Sequence, residues 1–211
     1  MREYRTENIR NVILLSHTGA GKTSLAEAMV FDSKAITRLG RVDEGSTVTD
    51  FEPEEVKRRS SISTALAPVE WKDTKINLID VPGYFDFVGE VKAALRVADA
   101  ALIVICAASG VEVGTEMAWQ YADEVNLPRM IVINKMDREN ADFVKVLAQV
   151  EARFGRKCVP IQIPIGAEAG FQGVFDLIAQ RPCGDAKAEG LSADVIQAMR
   201  EKLVEGIAEV D

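Results

Sequence analysis

The most informative stretch of this chain is Ser16-His17-Thr18-Gly19-Ala20-Gly21-Lys22-Thr23, which follows apolar residues 12–15 and opens a helix-like segment. In such a setting, backbone N–H groups and a helix N-terminus converge on anionic oxygens. Two glycines allow the backbone to approach closely, Lys22 would reach the β- and γ-phosphates, and Thr23 would ligate Mg²⁺. The run predicts a phosphate-binding loop that has Ser16 in place of the usual first glycine. An ordinary glycine-rich turn is the alternative.

A second motif, Asp80-Val81-Pro82-Gly83, closes an expected strand at residues 75–79. An aspartate at a strand end beside a phosphate loop can hold the Mg²⁺ shell, often through water. Gly83 can bring its N–H up to a γ-phosphate without a side chain in the way. Taken alone, a run with proline and glycine is also typical of a simple turn.

The third motif, Asn134-Lys135-Met136-Asp137, follows an apolar strand at residues 129–133. The Asp137 carboxylate can accept hydrogen bonds from both the N1–H and the 2-amino group of guanine, a pair that adenine lacks. An unpaired carboxylate is costly, so such a site rejects ATP. The stem of Lys135 would lie along the base, and Asn134 would tie loops together. Alone, the tetrad also fits a surface loop, but three motifs in this order predict a guanine-nucleotide site.

Length and composition agree with a globular nucleotide-binding domain. The chain has 211 residues, of which 47% are hydrophobic, enough for one domain or one domain plus an appendage. We find no apolar run approaching ~20 residues and no signal-peptide pattern, so we expect no membrane span and a cytoplasmic location. The net charge of −8 argues against DNA binding through the general surface. Neither a disulfide framework nor a zinc site is indicated by the three separated cysteines, Cys106, Cys158 and Cys183.

Strand-like and helix-like segments alternate along the chain. This pattern predicts an α/β P-loop NTPase fold of three layers, with a mostly parallel central sheet and ligands at the carboxyl ends of its strands. The polar stretch at residues 33–60 is long for an inert connection, so we favour a switch that orders around Mg²⁺ and γ-phosphate over a disordered loop. Strands are expected near 11–15, 62–71, 75–80, 100–107, 129–134 and 158–164, and helices near 22–31, 87–98, 114–125 and 140–154.

These motifs and their flanks resemble the GTPase domain of elongation factor G, and most closely its elongation factor G-like paralogues. The match runs to about Leu177. It implies a GTP-binding core at residues 1–157 and a partial inserted subdomain at 158–211. We expect a helix from Ser192 in this subdomain, and we expect the chain to be truncated within the subdomain. The resemblance rests on Arg58-Arg59-Ser60-Ser61-Ile62-Ser63, on Ile76-Asn77-Leu78-Ile79-Asp80-Val81-Pro82-Gly83-Tyr84-Phe85-Asp86-Phe87, and on Asn134-Lys135-Met136-Asp137-Arg138-Glu139-Asn140-Ala141-Asp142-Phe143.

The resemblance implies GTP or GDP and Mg²⁺ as ligands, the ribosome as partner and a monomeric chain. It implies Lys22, Gly83 and Tyr84 as catalytic residues, and Thr23, Ser61 and Asp80 as metal ligands. Nucleotide contacts are expected from Ser16, His17, Thr18, Gly19, Ala20, Gly21, Lys22, Thr23, Ser24, Asp80, Val81, Pro82, Gly83, Tyr84, Asn134, Lys135, Met136 and Asp137.

Three positions depart from the pattern that the resemblance implies. Ser61 stands where threonine is usual and keeps the oxygen, whereas Arg59 stands where glycine is usual. Tyr84 replaces the histidine that positions the attacking water, and a phenol with a pKa near ~10 cannot become cationic at neutral pH. We therefore expect slow intrinsic hydrolysis. His17, the single histidine of the chain, is read as structural.

Two further questions stay open at the level of sequence. The string Pro164-Ile165-Gly166-Ala167-Glu168 could serve as the fifth guanine-contacting motif of a small GTPase, but the resemblance assigns it to the inserted subdomain. For function, a hydrolysing translational GTPase is favoured over a nucleotide switch that barely hydrolyses. An ATP-using P-loop enzyme is disfavoured by Asn134 and Asp137.

Overall fold

The computed structural model describes residues 3–184, 186–187 and 190–209. Over these residues, strands and helices mostly alternate up to α5, and three short strands and a final helix follow. The strands are β1 (Ile9–Ser16), β2 (Ala65–Trp71), β3 (Thr74–Asp80), β4 (Ala100–Cys106), β5 (Arg129–Asn134), β6 (Gln162–Ile165), β7 (Gly173–Asp176) and β8 (Arg181–Pro182). The α-helices are α1 (Lys22–Asp32), α2 (Pro53–Arg58), α3 (Val88–Leu95), α4 (Val113–Glu124), α5 (Phe143–Phe154) and α6 (Ala193–Ala208).

Within the described residues, five strands form one sheet in the order β2-β3-β1-β4-β5. β1 pairs in parallel with β3 and β4, whereas β2 runs antiparallel to β3. The predicted α/β fold with a mostly parallel sheet is confirmed.

The central strand β1 is buried on both faces because alternate side chains point to opposite sides. Ile13 and Leu15 pack in the apolar cluster that includes residues of α3 and α4, whereas Leu14 packs in the cluster of α1 and β2. This explains the continuous apolar run before the glycine-rich loop.

The pairing of β1 with β3 fixes where the first two motifs lie. Leu14 pairs with Asp80, so both strands end at the same edge of the sheet. The loop that leaves β1 after Ser16 and the loop that leaves β3 after Asp80 are therefore neighbours.

The described residues fall into two compact units. The first is formed within Met1–Ile105 and Glu112–Val132, and the second within Cys106–Val111 and Ile133–Asp211. The predicted domain boundary between residues 157 and 158 stays a prediction.

The second unit contains an antiparallel sheet in the order β6-β7-β8, which packs on α6 around Ile163, Phe175 and Leu203. The starting residues of two expected strands need correction, one in this unit and one in the first unit. The strand expected at 158–164 begins only at Gln162, because residues 155–158 form a turn and Pro160 lacks an N–H for pairing. The strand expected at 62–71 begins at Ala65.

Candidate functional site

The candidate phosphate-binding loop connects β1 to α1 through two glycines with left-handed backbones. Gly19 has a φ of 79° and Gly21 a φ of 100°, a region that favours glycine. The Ala20 N–H donates to the His17 carbonyl at 3.3 Å, which closes the loop on itself. The loop therefore delivers the first turn of α1, beginning at Lys22, to the carboxyl edge of the sheet.

Lys22 is buried in this loop, with 7% of its surface exposed. Its Nζ donates to Ser16 Oγ at 3.1 Å, so the serine that replaces the first glycine holds the ammonium group. Burial lowers the pKa of Lys22, and the charges of Asp80 and Asp50 oppose that shift. A buried cation at a helix N-terminus is suited to bind an anion.

Asp80 joins α1 to the long segment that precedes β2. Its Oδ2 accepts hydrogen bonds from Thr23 Oγ1 at 2.8 Å and from Thr49 Oγ1 at 3.0 Å. Its Oδ1 is buried and has no hydrogen-bond partner among the described residues. Burial raises the pKa of Asp80, against the effects of Lys22 and the two hydroxyls.

Ser61 lies in the same cluster. Its Oγ donates to Asp50 Oδ1 at 2.7 Å and lies 3.2 Å from Thr23 Oγ1. Asp50 Oδ2 is buried without a partner in the described part of the chain, and burial raises the pKa of this carboxyl.

The donor set of this cluster fits a magnesium ion. Mg²⁺ prefers hard oxygen ligands and commonly uses one or two carboxylates together with substrate phosphates and water. Thr23 and Ser61 bring two hydroxyls within 3.2 Å of each other, and Asp80 holds a buried oxygen without a protein partner. Among the described residues, no group of three or more His, Cys, Asp or Glu side chains could hold a metal ion. A magnesium ion here would therefore also need ligands from the nucleotide phosphates and from water.

Gly83 lies directly against the phosphate loop. A Cβ added there would meet Lys22 Nζ at 2.8 Å and the Thr18 Cα at 3.1 Å, so only glycine fits this close approach. The next residue, Tyr84, is 47% exposed. Its neighbour Phe85 contacts the His17 ring edge-on, with centroids 6.3 Å apart.

His17 is directed away from the clustered carboxylates and towards α4. Its Nε2 lies 3.5 Å from Glu112 Oε1, and a Cβ on Gly114 would lie 2.7 Å from His17 Nδ1. The structural role of His17 stays a prediction.

Two buried glutamates hold the segment between α1 and β2, and the sequence did not single them out. Glu27 of α1 accepts the N–H groups of Gly40 at 2.9 Å and Val48 at 2.8 Å. Glu55 of α2 accepts the N–H groups of Ile62 at 2.9 Å and Ser63 at 3.0 Å. The segment predicted to be a switch is therefore ordered around carboxylates in this structure.

The sequence signal that could have found Glu55 is a capping box. Pro53 begins α2, Glu52 is its N-cap, and the Glu55 carboxylate accepts the Glu52 N–H. Arg59 ends the helix with a φ of 54°, which resolves the question raised by the missing glycine: arginine adopts the left-handed conformation itself.

The third motif lies in the second unit, directly after β5. The Asn134 carbonyl accepts the Ala107 N–H at 2.8 Å, and Met136 is buried in a cluster with Ala107 and Ala141. Lys135 adopts a φ of 61°, so the chain turns sharply at the motif. Asp137 follows the buried Met136 and is itself exposed.

The string at residues 164–168 does not continue the main sheet. Ile165 ends β6, which belongs to the separate antiparallel sheet, and Glu168 contacts the third motif through its backbone.

Comparisons with known proteins agree on the class. Residues 7–207 match the family described as Elongation factor Tu GTP binding domain. Elongation factor G 1 from Treponema denticola is 40% identical over 198 residues, which are 93% of this chain and 29% of that protein. A crystal structure of a Thermus thermophilus protein has a TM-score of 0.87 and 36% identity, covering 96% of this chain and 32% of the other. The chain thus spans less than a third of the length of either protein.

The fold and the glycine-rich loop define a P-loop GTPase domain. The chain belongs to the Elongation factor Tu GTP binding domain family, and its predicted resemblance to elongation factor G-like factors is confirmed. None of the helices in the described residues is long and apolar enough to cross a membrane.

Proposed function

We propose that this chain binds GTP with Mg²⁺ and hydrolyses it, as the GTPase domain of an elongation factor G-like factor that acts on the ribosome. The observation that carries the proposal is the Asp80 carboxylate, which accepts the Thr23 hydroxyl on one oxygen and keeps the other buried without a protein partner among the described residues. Buried polar groups are normally hydrogen-bonded, so this oxygen indicates an absent partner such as metal-bound water.

At the phosphate end, the loop N–H groups of residues 16–24 and the Lys22 ammonium would bind the β- and γ-phosphates. Thr23 and Ser61 would ligate Mg²⁺ directly, with Asp80 holding a water of its shell. The backbone of residues 81–83 would face the γ-phosphate, because Gly83 already lies against Lys22. When bound, the ion would neutralise charge that develops on the phosphate oxygens.

At the base end, Asp137 would accept the N1–H and 2-amino groups of guanine, and the Lys135 stem would cover the ring. Met136 contributes by anchoring the loop from beneath, since it is buried in the cluster that contains Ala107. Asn134 would connect the motif to neighbouring backbone.

In the reaction, a water would attack the γ-phosphate in line with the leaving β-phosphate oxygen. Lys22 and the Gly83 N–H stabilise negative charge, and the Tyr84 hydroxyl orients the water. Tyr84 is half-exposed and is not held by a buried network among the described residues, so the proposed intrinsic rate is slow. The ribosome would supply the contacts that position this side chain.

Nucleotide binding is tested by titrating labelled GDP with and without Mg²⁺ and competing it with GTP, ATP and xanthosine diphosphate. Asp137→Asn should lower GDP affinity at least about tenfold and gain xanthosine diphosphate binding, because the amide complements the 2-oxo group of xanthine. Glu139→Gln, an exposed neighbour, is the matched control and should change neither. Equal displacement of GDP by ATP in the parent protein would overturn the proposal.

A second candidate function is a nucleotide-dependent binding module that hydrolyses very little. The exposed position of Tyr84 favours it, since no described side chain fixes the phenol near the γ-phosphate end. Single-turnover GTP hydrolysis with and without ribosomes separates the two candidates: ribosome-stimulated turnover supports the GTPase, and an unchanged low rate supports the module. A cytoplasmic location and a monomeric state are part of the same proposal.

A further inference from the structure

The segment that follows β6 lies against the loop that carries Asp137. The Glu168 N–H donates to the Met136 carbonyl oxygen at 2.8 Å. The Glu168 side chain reaches the other end of the loop, where Oε1 accepts the Asn140 N–H at 2.7 Å. One residue therefore holds the loop on both sides of Asp137.

Two residues of the loop have left-handed backbones. Lys135 has a φ of 61° and Asn140 a φ of 64°, a region that costs lysine conformational energy and that asparagine tolerates better. The turn bonds from Arg138 N–H to the Lys135 carbonyl and from Ala141 N–H to the Arg138 carbonyl are both 3.2 Å, at the long end of the normal range. Contacts from outside the loop, such as those of Glu168, add to these turn bonds.

The segment that supplies these contacts forms a tight turn. Gly166 has a φ of 76°, and a Cβ there would lie 2.1 Å from the Gly170 carbonyl oxygen. Glu168 begins a short 3-10 helix, closed by the Phe171 N–H to the Glu168 carbonyl at 3.0 Å. Phe171 packs against the apolar cluster that contains Met136, so the turn is joined to the loop by apolar contact as well.

We propose that Glu168 is a positioning residue for base recognition: it holds Asp137 in the orientation that distinguishes guanine from other bases. The inference rests on the proposed function, in which Asp137 accepts two hydrogen bonds from guanine. A carboxylate makes a stronger bond to a backbone N–H than a neutral acceptor does, so Glu168 restrains the Asn140 end of the loop. Asp137 would accept two hydrogen bonds from guanine at the same time, and this requires a more exact orientation of its carboxylate than a single bond does.

The test compares the affinities for GDP and inosine diphosphate, which lacks the 2-amino group. Glu168→Ala removes the bond to Asn140 and should lower the preference for GDP over inosine diphosphate by up to about fivefold, the factor that corresponds to the net contribution of one whole hydrogen bond. Glu168→Gln keeps an acceptor oxygen and should fall between Glu168→Ala and the parent protein. Asp176→Ala is the matched control, because Asp176 accepts the Ile178 and Ala179 N–H groups at 2.8 Å in the same unit but lies outside the loop.

The inference is overturned if Glu168→Ala keeps the parent preference, or if Asp176→Ala loses it to the same extent. If the alanine variant does not fold, Glu168→Gln is tested instead, with amide hydrogen exchange as a second measurement. The Asn140 N–H should exchange faster in this variant. An unchanged exchange rate together with an unchanged preference for GDP would refute the positioning role of Glu168. A parent protein that binds both nucleotides equally would instead refute the proposed reading of guanine by Asp137.

Discussion

Replacing Glu55 by glutamine tests whether one buried carboxylate holds the segment that carries Ser61. The Glu55 side chain is buried, with 1% of the residue exposed. Its Oε1 accepts two N–H groups, from Ile62 at 2.9 Å and Ser63 at 3.0 Å, and its Oε2 accepts the Glu52 N–H at 3.2 Å. Glutamine has the same shape but offers one acceptor oxygen and one NH₂ donor.

The amide nitrogen must therefore face at least one backbone N–H of the segment. A buried donor left without an acceptor costs about 1–3 kcal/mol, and the remaining bonds lose their charge assistance. Removing the charge also relieves its repulsion with Asp50 and Asp80, which adds to the effect of burial in raising their pKa values. After that offset, we expect the free energy of unfolding to fall by about 2 kcal/mol and Tm by about 4–8 °C for a domain of this size.

Urea unfolding and calorimetry without nucleotide measure this change directly. Glu54→Gln is the matched control, because the Glu54 side chain is 51% exposed and pairs with Arg58 on the surface. Such an exposed pair contributes less than about 1 kcal/mol. If Glu55→Gln unfolds within about 0.5 kcal/mol of the parent protein, the carboxylate does not hold the segment and the reasoning is wrong.

Three further predictions concern the phosphate end. Gly83→Ala should destabilise the domain by about 1–3 kcal/mol in thermal unfolding, because the added Cβ would lie 2.8 Å from Lys22 Nζ. The control is Gly89→Ala in α3, where nothing lies within 4 Å of the added Cβ; it should stabilise the domain by about 0.5–1 kcal/mol. Equal effects of the two substitutions would contradict the close contact at Gly83. Asp80→Asn should weaken Mg²⁺ affinity about 10- to 100-fold in the GDP complex, measured by titrating Mg²⁺ against bound labelled nucleotide, and an unchanged Mg²⁺ dependence would remove Asp80 from the ion's shell. Tyr84→His should change single-turnover hydrolysis while GDP affinity stays within about twofold, since the side chain is 47% exposed, and a large loss of GDP binding would refute that separation.

The parts of the fold that could be predicted from sequence are those with strong local signals. Residues 12–15 of β1 are continuously apolar and are followed by two glycines in a tight loop, so strand, loop and helix were all predictable. The parallel pairing of β1 with β3 places Asp80 at the sheet edge where the glycine-rich loop begins, which agrees with the expectation that ligands bind at the carboxyl ends of the strands.

The parts that could not be predicted depend on long-range contacts. α2 has only six residues, and its stability comes from the capping box and the burial of Glu55 rather than from an apolar stripe. Glu27 has no local sequence signal either, because the N–H groups that need its carboxylate lie 13 and 21 residues later. β7 and β8 are too short for a periodic pattern.

The parallel pairing of β1 with β3 has a consequence for how the chemistry at the sheet edge tolerates change. Backbone pairing sets the separation of the two strands at about 4.8 Å, up to the pair Leu14 and Asp80, so both turns leave the sheet from fixed neighbouring positions. Substitutions in one turn can alter what it binds and still leave the distance to the other turn unchanged. Ser16 and Tyr84, which differ from the usual residues of the family, therefore change individual functional groups. The strand spacing beneath them is maintained by the main chain.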